Sequence, residues 1–150
     1  MKLISLAVLL FGLCNAVHAN EAPMSIPGTI TVNLQKAKQL YDDGAIFIDV
    51  RKPESWSQGH IAGSLNLSVN DVEFAVLYVS EDLDRLAPVV FYNSSPLDVD
   101  GALAAKVASD WGYKNVFYFR DGFYAWMAAD LPVDLKMTLG LYEEDRLAAR

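Results

Sequence analysis

The sequence predicts an α/β fold built on an open, mostly parallel five-stranded sheet flanked by helices. Two observations carry this. Ala45 to Val50 and Val89 to Tyr92 are nearly continuous apolar runs, the profile of strands buried on both faces of a parallel sheet. Segments of helical period lie between such runs with short connections, the alternation that yields parallel pairing. With 150 residues and 53% hydrophobic content, the chain has enough apolar material for one packed core.

The elements follow in chain order. Residues 1–19 read as a secretory signal peptide: Met1-Lys2 is a short positive start, Leu3 to Leu13 an apolar run, and Val17-His18-Ala19 a cleavage site. The apolar run is too short to span roughly 30 Å of hydrocarbon. Residues 20–28, with Pro23, Pro27 and Gly28, form an irregular lead-in. Thr29 to Val32 is a short edge strand. Asn33 is an N-cap for a helix over Leu34 to Asp43, with Leu34, Ala37, Leu40 and Tyr41 on one face and Gly44 as the stop. Ser64 to Leu67 is a short strand. Residues 70–86 hold a helical segment with Val72, Ala75, Val76 and Val79 at 3–4 spacing, ended by Pro88. A helix from Gly101 to Trp111, a strand from Val116 to Phe119 and a helix from Tyr124 to Ala129 complete the domain. Residues 134–150 read as an appended tail.

The inventory excludes several functions. A net charge of −7 opposes binding to nucleic acid or to anionic lipid. Cleavage after Ala19 would remove Lys2, His18 and Cys14, the only cysteine. The remaining chain could form neither a disulfide nor a Cys/His zinc site. No cofactor, metal or membrane association is expected of it, and its location would be periplasmic or secreted.

Three blocks, taken together, resemble the rhodanese family. The first is Phe47-Ile48-Asp49-Val50-Arg51, Pro53-Glu54 and Gly59-His60-Ile61-Ala62-Gly63-Ser64. It is similar to the family's IDVR-x-PxE…GHIxGA segment. The second is Val89-Val90-Phe91-Tyr92, the strand that leads into the family's active-site loop. The third runs from Trp111-Gly112-Tyr113-Lys114-Asn115-Val116 through Gly122 and Ala125-Trp126 to Leu131-Pro132-Val133. The resemblance covers residues 29–133. Most of these residues carry structural readings: Asp49 and Arg51 as an ion pair at a strand end, Glu54 starting a turn, and His60 in a turn between Gly59 and Gly63. Trp126 reads as core packing.

The resemblance implies a cysteine directly after the second block, which in catalytic members carries sulfur as a persulfide. Backbone N–H groups at a helix N-terminus surround it and favour the anion. Here that position is Asn93, and an amide cannot become a thiolate. The loop Asn93-Ser94-Ser95-Pro96-Leu97-Asp98-Val99-Asp100-Gly101 also lacks the arginine of the common CxxGxRS pattern. Asp98 and Asp100 add carboxylates where an anion would sit. At an effective dielectric near 20, each disfavours that anion by about 2–4 kcal/mol before screening.

The expectation is therefore a rhodanese-like binding or regulatory module without catalysis, engaging a protein or small polar ligand. Asn93, Ser94, Ser95, Asp98, Asp100 and Gly101 would form the ligand-facing loop, with Tyr92, Phe123 and Tyr124 as an apolar wall. The alternative is an enzyme of another class in the same crevice. It would use Ser94 or Ser95 with His60 as base, or a calcium or magnesium ion on Asp98 and Asp100. A plainer reading of Asp98 and Asp100 is that they cap the following helix.

Overall fold

A computed structural model describes residues 21–136. The signal peptide read over residues 1–19 and most of the tail lie outside the described residues. The elements are β1 (Ile30–Val32), α1 (Leu34–Asp42), β2 (Ile46–Asp49), α2 (Pro53–Gln58), β3 (Gly59–Ile61), β4 (Leu65–Asn66), α3 (Val76–Val79), β5 (Val89–Tyr92), α4 (Asp100–Asp110), β6 (Val116–Phe119), α5 (Gly122–Ala128) and β7 (Val133–Leu135). A 3₁₀ turn, Val72–Ala75, leads directly into α3.

Five strands form one parallel sheet in the order β1-β6-β5-β2-β4, as the sequence predicts. All four residues of β5 are buried because helices cover both faces. Alternate side chains feed two cores. Val89 and Phe91 join Ile48, Phe74, Ala105 and Tyr118 on one face. Val90 and Tyr92 join Phe47, Ala37, Phe119 and Trp126 on the other. Helix α1 begins where expected, with Asn33 Oδ1 accepting from the Lys36 N–H at 2.9 Å. Its Tyr41 ring meets Phe47 and Trp126 edge-on.

The register positions the site. Asp49 is paired with Asn66 on one side and with Tyr92 on the other, and Tyr92 with Phe119. Four strands therefore end at one level, and the loops that follow them converge on one crevice, where open α/β sheets bind ligands.

Four expectations need correction. His60 is not in a turn: Gly59–Ile61 is a strand that pairs antiparallel with β7, making a separate two-stranded ribbon. That ribbon runs to Leu135, two residues beyond Val133, and the Lys136 N–H continues onto the Gln58 carbonyl. The segment 70–86 is helical only to Val79, well before Pro88, and the opposite face is buried. Phe74 and Leu77 point inward, while Val72, Ala75, Val76 and Val79 face solvent. Both sets have 3–4 spacing, and the bulkier pair fills the core. Glu54 lies in the first turn of a helix, with Pro53 at its first position, where a missing N–H costs nothing.

The lead-in is irregular, yet packed. Ala22 and Ile26 are buried in the core beneath α4. The Ala22 N–H donates to the Pro96 carbonyl at 2.7 Å, and Arg120 binds the Ala22 carbonyl and the Glu21 carboxylate.

Candidate functional site

One wall of the crevice is built on the end of β2. Asp49 and Arg51 are both buried, and the predicted ion pair is present, with Arg51 Nη2 2.6 Å from Asp49 Oδ2. Arg51 Nε also reaches both carboxylate oxygens, and Nη2 donates to the Gly59 carbonyl at 2.7 Å. Its guanidinium lies 4.3 Å from the centre of the Phe123 ring. Burial works against the Arg51 charge, but the bonds and charge of Asp49 outweigh it and hold its pKa above the usual value. Asn66 Nδ2 donates to the carbonyls of Asp49 and Arg51 and fixes the crossing to β4.

His60 serves this frame. Its ring stacks on Trp56 at 4.0 Å, its Nδ1 is 2.9 Å from the Trp56 carbonyl, and its Nε2 is 3.5 Å from Asp134 Oδ2. Those contacts join α2 to the β3–β7 ribbon. Neither Ser94 nor Ser95 is among its partners, so the structure does not assemble the serine–histidine pair considered above. Gly63 sits at φ +74°, which a side chain would strain, and its N–H donates to Asp134 Oδ2.

The Tyr92 wall is also corrected. Tyr92 is wholly buried, and its hydroxyl accepts from the Ile61 N–H at 3.1 Å and lies 2.8 Å from Ser64 Oγ. Burial pushes its pKa well up. It ties β5 to β3 and never reaches the crevice. Phe123 is buried under Arg51, and only Tyr124 is exposed. Arg51, Tyr124, Met127 and Leu135 line a shallow recess of about 170 Å³ beside the loop.

The loop after β5 is turned in on itself. Asn93 is wholly buried, and its Nδ2 donates to the Asp98 carbonyl at 2.6 Å. Its Oδ1 is buried without a partner. The Leu97 N–H donates to Ser95 Oγ, the Asp98 N–H to the Ser95 carbonyl, and the Asp100 N–H to Asp98 Oδ1. Three N–H groups of the loop are thus committed within it. Asp98 supports the start of α4 through the Asp100 N–H, although the N-cap itself is Val99 and makes no side-chain bond.

Gly122 was read only as part of a motif, but it is what lets the next loop close here. It sits at φ +73°, and a Cβ would lie 2.7 Å from the Asn93 carbonyl oxygen. The Phe123 and Tyr124 N–H groups then bond the carbonyls of Asn93 and Ser94. Gly101 is similarly close, with the Asn93 side chain 3.4 Å from where its Cβ would be.

Asp100 lies at the mouth, with Asn70 Nδ2 3.2 Å from its Oδ2. Burial and the neighbouring Asp98 charge raise its pKa, while the Asn70 bond and the Lys52 charge act the other way. Lys52 and Asn70 were not singled out from the sequence; neither has a local pattern that marks it. Among the described residues there is no cluster of three or more His, Cys, Asp or Glu able to hold a metal ion. No described helix is long and apolar enough to cross a membrane.

The profile of the rhodanese-like domain matches residues 33–129. The chain belongs to the rhodanese-like family. It is 32% identical over 92 residues to the thiosulfate sulfurtransferase GlpE of Pseudomonas aeruginosa, covering 61% of this chain and 78% of that one. It is 30% identical over 100 residues to the GlpE of Haemophilus influenzae, covering 67% of this chain and 90% of that one. In structure it is similar to the rhodanese-like domain of an Anabaena protein, with a TM-score of 0.60, 21% identity and coverage of 75% and 83% of the two chains. The polysulfide-sulfur transferase of Wolinella succinogenes gives a TM-score of 0.60 at 21% identity, covering 77% of this chain and 85% of that one. The last two likenesses concern the fold alone.

Proposed function

We propose that this rhodanese-like domain is a binding or regulatory module outside the cytoplasm that does not transfer sulfur. One observation carries the reading: the side chain at the end of β5 is the buried amide of Asn93, and the chain's only cysteine is Cys14, within the leader-like segment. Sulfur transfer through a persulfide requires a thiolate at that point. The loop around Asn93 supports the same reading. Its N–H groups at Leu97, Asp98 and Asp100 already have acceptors, and Asp98 and Asp100 make the mouth unfavourable to thiosulfate. A neutral or cationic polar ligand suits the mouth better than an anion. Localisation rests on the leader-like composition of residues 1–19.

Isothermal titration with thiosulfate tests the crevice chemistry. The proposal predicts no saturable heat at millimolar thiosulfate. Saturable binding that is lost on crowding the mouth with Asn70→Trp would show that the crevice still accepts a sulfur anion, and the proposal would fall.

A further inference from the structure

Away from the crevice, the outer side of β2 and β4 is left open. A cavity of about 310 Å³ lies between this sheet edge and the 76–84 segment, walled by Ile46, Ile48, Leu65, Leu67, Val76 and Leu83. Its surroundings are apolar and exposed: Leu65 is 55% accessible, Tyr78 58% and Val79 67%. An apolar cavity beside exposed apolar side chains is a place where a partner can dock. It exists because Phe74 and Leu77 take the inward face of their segment and leave the valines outside.

The segment that walls the groove is acidic. Asp84 lines the groove, and Asp71, Glu73, Glu81 and Asp82 are exposed on the same 71–84 segment. Arg85 is the only basic residue from 64 to 86, and its Nη2 is held by the Tyr78 carbonyl at 2.9 Å. We infer that this groove docks a partner protein through an amphipathic segment whose apolar anchors are flanked by lysine or arginine. The apolar anchors fill the cavity, and the flanking cations meet Asp84 and the other carboxylates of that segment. A second copy of this chain fits poorly, because a two-fold contact would set one acidic segment against the other. The chain's own C-terminal stretch carries Glu143, Glu144 and Asp145 against Arg146 and Arg150, and so offers no excess of cations.

The test uses a fluorescein-labelled amphipathic peptide of leucine and lysine, with a leucine and glutamate peptide of the same pattern as control. Binding to the isotope-labelled protein is followed by anisotropy and NMR at about 150 mM salt. The lysine peptide should saturate, shift the amides of Leu65, Val76 and Leu83, and bind more weakly as salt rises. The glutamate peptide should not bind. Val76→Ser and the double variant Glu81→Lys/Asp82→Lys should each weaken binding about ten-fold while the rest of the spectrum is unchanged. Shifts spread over other acidic surfaces such as Asp42 and Asp43, or unchanged affinity in Val76→Ser, would overturn the proposal. A concentration-dependent dimer abolished by Val76→Ser would give the groove to a second copy. Groove shifts on removal of residues 137–150 would give it to the C-terminal stretch. Either result overturns the inference, and neither bears on the absence of sulfur transfer.

Discussion

After β2 the chain buries an aspartate and an arginine and satisfies both, with four polar bonds between them and a fifth to the Gly59 carbonyl. After β5 it buries an asparagine, satisfies its amide nitrogen and leaves its Oδ1 without a partner. Both corners sit at the same level of the same sheet. The first corner joins strand, ribbon and helix, so removing any member leaves a charge stranded. At the second, the Asn93 side chain bonds only within its own loop. In this domain the residues that keep the fold and the residue that would do the chemistry belong to different strand ends, and one can change without the other.

The first corner should be the easier to break. Asp49→Ala strands the Arg51 guanidinium in the interior and should lower unfolding stability by about 3–5 kcal/mol, read from denaturant titration. A loss under about 1 kcal/mol would mean that water reaches Arg51 and that the pair is not structural.

Two wholly buried tyrosines extend the contrast. Tyr92 has two hydroxyl partners, and Tyr118 has none. Tyr92→Phe leaves the Ile61 N–H unpaired and should cost about 1–3 kcal/mol, whereas Tyr118→Phe should be neutral or slightly stabilising. Burial pushes the Tyr118 pKa up to about 12, above its ordinary 10.0. The folded state therefore keeps this phenol neutral where the unfolded chain ionises. That contribution to stability is whole below pH 10 and disappears as pH approaches about 12. Tyr118→Phe should make the alkaline decline in melting temperature shallower. An unchanged slope would show that Tyr118 ionises as freely folded as unfolded.

Asn93→Cys should leave stability within about 1 kcal/mol, since loss of the Asp98 bond is offset by removal of the unpartnered Oδ1. The new thiol should react slowly with thiosulfate. Adding Asp98→Asn and Asp100→Asn should speed persulfide formation about ten-fold or more, because each carboxylate opposes the incoming anion. Equal rates would show that the acids point away from the reacting atom.

The smallest effect is at the mouth. The pKa of Asp100 is raised in the fold, so its contribution favours folding at acid pH and is lost as pH rises through the raised value. Asp100→Asn should therefore stabilise the protein near pH 7, within about 0.5 kcal/mol, and give no gain near pH 3. A loss near pH 7 would instead assign the carboxylate to the N-terminus of α4.

Much of this was legible in the sequence. Asp49 and Arg51 at a strand end read as a pair because local apolar runs fix where strands end, and the resemblance to the rhodanese family implies that Asn93 stands where a thiol would be. The His60 strand was not legible, since its partner Val133–Leu135 lies far along the chain and Gly59 and Gly63 suggest a turn. Helix α2 has no apolar period, and only Pro53 at its first position signals it. The choice between Phe74-Leu77 and Val72-Val76 as the inward face depends on the space left under the sheet, which periodicity does not encode. In the loop, the side chains could be named, but their hydrogen bonds to one another depend on a closure that Gly122 permits from another element.

The most direct test of the account is thiocyanate formation from thiosulfate and cyanide by the purified protein, with a cysteine-bearing family member as positive control. The account predicts no turnover above the uncatalysed rate. Turnover that scales with protein concentration would contradict it, and would mean that a group other than the residue at position 93 carries the sulfur.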